Sequence, residues 1–287
     1  AVTQADAMTS SVLGGLTTSA LNSLTAAELQ GLSSSQVGGL TSTQISNLNT
    51  TFFTNLTTTA LGALSTTQLQ GLTTAQINGM TATMTALNAL KVARLSTTQL
   101  ANIATTTLNS LSTTQVQSLS STQVAALTST EVNALSTSNI QAIASNAFTG
   151  MTTTTISQMT TTALNNMTTA QIASLSSTSA SALTSTDISG LSTTNLQALT
   201  TKAIAGLTTT ALSTATTAGL SAMTASQLAA LDTNQTQGLT TTQLGAITTT
   251  ALQALNAARL STTQLSGVTT VALNNLSTTQ LGTLNST

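Results

Sequence analysis

Leu64-Ser-Thr-Thr-Gln68-Leu69-Gln-Gly71 is followed directly by Leu72-Thr-Thr-Ala-Gln76-Ile77-Asn-Gly79 and then Met80. Apolar anchors recur at spacings of five and three, so the period is eight. Working outward, the register runs from Met8 to Met80 without a slip. It resumes at Leu95 and holds through Ile103 and Leu111 to Ile247 and Leu255, with Ala215 its one weak anchor. A third run goes from Leu260 through Val268 and Leu276 to Leu284. Periods of this kind are the mark of a repeat architecture.

The period excludes continuous elements. At about 100° per residue an eight-residue step drifts by about 80°, so an unbroken helix would lose its apolar stripe within two repeats. In a flat strand, spacings of five and three are both odd and would send successive anchors to opposite faces. Each octad must therefore bend. In the fullest form of the octad the residue after the Leu is Ser or Thr, and Gln stands three positions later, which is the pattern of a helix N-cap closed by a capping box. The Leu before the cap and the apolar residue after the Gln are placed as a hydrophobic staple. Stepping by eight from Thr9 to Thr81, from Ser96 to Thr248 and from Ser261 to Asn285 gives 34 cap positions. Only Ala104 and Ala144 among them are not Ser, Thr, Asn or Asp. Each octad then reads as one short capped helical turn, ended near a small residue such as Gly15, Gly31, Gly39, Ala63, Gly71 or Gly79.

The charged residues follow the same grammar. Glu28, Glu131 and Asp187 stand where Gln usually does, Asp232 stands at a cap, and Asp6 alone lies outside the register. Acids near a helix start suit its positive end. Lys202 falls in an ordinary octad and reads as a solvated charge. The other basic residues sit at the two breaks in the period. Ala86-Leu-Asn-Ala-Leu-Lys91-Val-Ala-Arg94-Leu95 matches Ala251-Leu-Gln-Ala-Leu-Asn-Ala-Ala-Arg259-Leu260, and both predict longer amphipathic helices, near 82–95 and 248–260. Their cations lie near helix C-termini, where positive charge is favourable, or at a lateral contact between subunits. Phe52, Phe53 and Phe148 are expected in the core. So are most methionines, which replace Leu at anchor positions: Met8, Met80, Met151, Met159, Met167 and Met223.

Two anchors per octad cannot offset the ordering of eight residues, so stability must come from stacking on neighbours. The chain is read as an all-α solenoid of about 32 octapeptide repeats over residues 8–287, behind a lead-in at 1–7. A β-solenoid, favoured by the β-branched Thr, is the rival reading.

Composition bounds the chemistry. The 287 residues include 71 Thr and 36 Ser but only nine charged side chains, and no Cys, His, Pro, Trp or Tyr. Zinc sites, thiol chemistry and His-based triads are ruled out by that count. No hydroxyl has a His or clustered Lys/Asp partner to activate it, so no catalytic, cofactor-binding or metal-binding residue is assigned and no enzyme is expected. A formal charge of −1 gives no footprint for nucleic acid. No apolar run reaches the length of a membrane span.

Octads such as Leu119-Ser-Ser-Thr-Gln123-Val-Ala-Ala and Leu191-Ser-Thr-Thr-Asn-Leu-Gln-Ala resemble the low-complexity octapeptide arrays of long secreted and surface-associated bacterial proteins. The resemblance spans nearly the whole chain. It implies a secreted or cell-surface location and a structural or adhesive role. The expected function is that of an extracellular structural protein, a subunit of a self-assembling filament, sheath or surface layer. Its expected partner is itself, stacked head to tail, with cell-surface glycans as a second class. An adhesin stalk, or ice or crystal-surface binding through arrayed Thr hydroxyls, are the alternatives.

Overall fold

A computed structural model describes residues 7–284. Among them are thirty-three α-helices of four to six residues and no strand, so the helical reading holds over the β-solenoid. Helices this short are not stable alone. Each is started and stopped by its own octad. In the octad of Leu64, Ser65 is extended (φ −68°, ψ 166°) and its hydroxyl accepts the Gln68 N–H, opening the helix Thr66–Gln70. The next anchor, Leu72, returns the chain toward the core. Both anchors are buried, Leu64 and Leu69 alike.

The cap column is realised almost throughout. At every predicted position except Thr81, Ala104, Ala144 and Asn285, the side chain accepts a backbone N–H three residues on. Ala104 and Ala144 have no side-chain oxygen to offer, and Asn285 lies outside the described residues. Thr81 is a correction. Met80 before it stays helical (φ −70°, ψ −13°), so Thr81 falls inside a 3-10 turn, Met80–Ala82, and its hydroxyl instead donates to the Asn78 carbonyl.

The longer helices expected near 82–95 and 248–260 are likewise not formed. Each break holds a six-residue helix, Met84–Ala89 or Thr249–Ala254, followed by a separate 3-10 turn, Val92–Arg94 or Ala257–Arg259. The physical reason is burial. Leu90 and Val92 are both in the core, as are Leu255 and Ala257. Residues two apart on a straight helix point about 200° from one another, so the chain must bend to bury both.

The chain forms two compact units that meet in sequence between Ala144 and Ser145. Within each unit the octads wind into a superhelix whose core is the anchor columns, joined by Phe52, Phe53 and Phe148. The rings of Phe52 and Phe53 meet edge to face with centroids 5.5 Å apart. Most helices pack against the third one before them. In the first unit, Ser34–Gly38 lies on Ser10–Gly15 and Met84–Ala89 on Thr58–Gly62. In the second, Thr201–Ile204 lies on Ser177–Ala180 and Thr233–Gly238 on Thr209–Ser213.

Glycine enters this packing for closeness and not for turn geometry. No described glycine has a positive φ. A Cβ on Gly206 would instead stand 2.0 Å from the Ser177 carbonyl oxygen, and one on Gly39 would stand 2.3 Å from that of Ser10. The small residues that end each octad let the backbone of one circuit touch the backbone of the circuit before it.

Candidate functional site

The arrangement that recurs is the seat between one circuit and the next, centred on the third residue of each helix. Gln68 shows the full geometry. Its Oε1 accepts the Ser65 N–H at 2.9 Å, completing the capping box. Its Nε2 donates to the carbonyls of Val37 at 2.9 Å and Leu40 at 2.8 Å, 31 and 28 residues earlier. Gln76 repeats the pattern onto Ile45 and Leu48. In the second unit Gln227 does so onto Leu196 and Leu199, Gln235 onto Ile204 and Leu207, and Gln243 onto Leu212 and Ala215.

The chemistry explains the residue. The last carbonyls of a short helix have no partner within it. A buried carbonyl left without a donor costs about 1–3 kcal/mol. An amide carries one acceptor and two donors, so a single Gln satisfies the N–H at its own cap and carbonyls on the circuit before. These glutamines are buried, with Gln227 only 2% exposed. The sequence placed them in capping boxes; the bonds to the earlier circuit were not readable from one octad.

The bonds also define the winding. Each Gln reaches the helix four units back, while most helices pack on the one three units back, which gives about three and a half octads per circuit. At the breaks, Gln115 reaches Leu87 and Leu90 across 28 and 25 residues, and Gln264 reaches Thr236 and Leu239 across the same intervals. In both places a five-residue step, Leu90 to Leu95 or Leu255 to Leu260, replaces an octad. The superhelix therefore counts helical turns, not residues.

Those five-residue steps have no Gln, and arginine takes over its donor half. Arg94 Nη1 donates to the Leu64 carbonyl at 3.0 Å. Arg259 Nη1 donates to the carbonyls of Leu231 and Ala229. Both arginines end their own 3-10 turns, as expected, and reach in addition the carbonyls at helix ends of the previous circuit.

At six caps whose third residue closes no capping box, help comes from the circuit before. Asn22 Oδ1 accepts the Asn49 N–H, where the third residue is Phe52. Asn78 does the same for Ala104, Asn109 for Ser136 and Asn165 for Ser192. Ser189 Oγ accepts the Thr216 N–H, and Ser221 Oγ that of Thr248. At these six caps the helping side chain lies 26 or 27 residues earlier in the sequence.

The acids occupy the positions assigned to them. Glu28, Glu131, Asp187 and Asp232 each complete a capping box. The Thr25 N–H, and then its hydroxyl, hold the Glu28 carboxyl below the ordinary carboxylate range. Glu131 and Asp187 are buried and accept from the N–H and hydroxyl of Thr128 and Thr184. Asp6 lies outside the described residues. Lys202 is exposed on the helix Thr201–Ile204. Among the described residues, no three acidic side chains gather where they could hold a metal ion, and no helix is long and apolar enough to cross a membrane. Hydroxyls at the first two helical positions face outward in many octads, as at Thr113 and Thr114.

This is a helical repeat protein. The model of the ALTTAQ repeat family matches residues 92–129 and again 100–137, two windows offset by one octad. No curated protein matches the chain.

Proposed function

We propose that the protein is an extracellular structural protein, a subunit of a self-assembling filament, sheath or surface layer. The observation that carries this reading is the Gln seat. Within each unit buried amides turn inward, onto the circuit before, and the same bonds recur from one Gln-bearing octad to the next. The buried glutamines are occupied in holding the coil together. What faces outward is a hydroxyl surface with few charges, which lacks the long-range repulsion that keeps proteins apart. The likeness to secreted octapeptide arrays supports an extracellular setting, and cell-surface glycans remain a second class of partner for that surface.

Negative-stain microscopy with size-exclusion chromatography tests the reading. Filaments or sheets that grow with protein concentration are expected. Monodisperse short particles at all concentrations would overturn assembly and favour the alternative of an isolated spacer such as an adhesin stalk, to which the strictly local bonding is equally suited.

A further inference from the structure

We infer that the protein is an extensible tether, which lengthens under tension one superhelical circuit at a time and rewinds when the load is released. The inference rests on the structural role proposed above and adds a mechanical activity to it.

Three observations carry it. First, the bonding is strictly local. Among the described residues, the side-chain hydrogen bonds between circuits span 22 to 31 residues, from Gln253 on Asn275 to Gln68 on Val37. Helices meet their chain neighbours or those three and four units away. With no cysteine in the chain, no disulfide ties distant circuits together. Opening one circuit therefore breaks only its seats on the circuits before and after it.

Second, the seats are made of side-chain amides and small-residue contacts, and each octad carries its own start signal. A released octad keeps the signal that starts its helix, as in the Ser65 and Gln68 box, and regains stability by seating again on the folded circuit beside it. Such local contacts form quickly.

Third, the seats are graded. Gln227, Gln235 and Gln243 in succession donate to seven carbonyls of the preceding circuit. The three octads before them have Ala203, Ala211 and Gly219 at the same position and no amide to give. A coil with strong and weak seats in series opens at the weak ones first.

Stretching the full chain between marker domains in an optical trap tests this. The expected record is a series of small steps. Each frees about 28 residues, or about 90 Å once the rise of a circuit is subtracted. The chain should recover its length on relaxation with little hysteresis. One or two ruptures, each freeing more than 140 residues, would overturn the inference, because the units would then be opening as wholes. Combining Gln227→Ala, Gln235→Ala and Gln243→Ala should lower the force of a single step and leave the others in place; a uniform drop in all steps would also overturn it. Failure to form filaments would leave these outcomes unaffected, so the two readings fail separately.

Discussion

Residues 200–223 and 224–247 are neighbouring sets of three octads, cut from one pattern, yet they join the preceding circuit differently. The first set has Ala203, Ala211 and Gly219 as third helical residues, and it gains contact by proximity. Gly206 lies against the Ser177 carbonyl, and Gly219 against that of Ile188. The second set has Gln227, Gln235 and Gln243, which bridge to the earlier carbonyls through their amides. The difference shows two solutions to one problem, the unpaired backbone groups of a four- to six-residue helix. Either a side chain supplies the missing bonds, or small residues bring the backbones together and leave the caps to hydroxyls such as Ser189.

The largest effect should come from forcing the first set apart. Gly206→Val places a Cβ where backbone already stands and should cost about 3 kcal/mol in chemical denaturation. An unchanged midpoint would mean that proximity is not what holds this set. Removing a bridge from the second set comes next. Gln235→Ala strands the carbonyl of Leu207 and takes the second donor from that of Ile204, which keeps the Leu207 N–H, and should cost about 2 kcal/mol, with faster amide exchange confined to the adjoining circuits. Converting one solution into the other should fail. Ala211→Gln is expected to destabilise by about 1.5 kcal/mol through overpacking, and a gain in stability would show that the two seats are interchangeable.

A smaller change should favour the fold. Thr236 fills an anchor position in the second set, is 1% exposed, and its hydroxyl has no hydrogen-bond partner. Thr236→Val should stabilise by about 1 kcal/mol, read as a raised melting temperature. The smallest effect separates an acid box from the amide boxes. Folding favours the ionised Glu28, so its contribution is present at neutral pH and is lost as pH falls through its lowered folded value. The melting difference between the parent and Glu28→Gln should therefore vanish in acid, whereas the Gln36 box should show no such dependence.

Much of this was legible in single octads. Thr25, Ser65 and Asp232 cap their helices because a hydroxyl or carboxylate three residues before an N–H needs nothing else to find it. Leu64 and Leu69 are buried because the bend puts both on one side. The breaks misled, because Ala86 to Leu95 has helical periodicity until Leu90 and Val92 must enter the same core. Thr81 misled in the same way, its hydroxyl being right and its backbone wrong.

The sequence by itself thus determined where every helix but the irregular ones begins and most of the residues that form its core, since caps and staples act within eight residues. Only the tertiary structure decided which partners the glutamines, asparagines and arginines find on the circuit before. Those partners lie 22 to 31 residues away and are backbone carbonyls and N–H groups, which every residue but proline carries alike. Nothing in an octad marks which of them the winding will bring within reach.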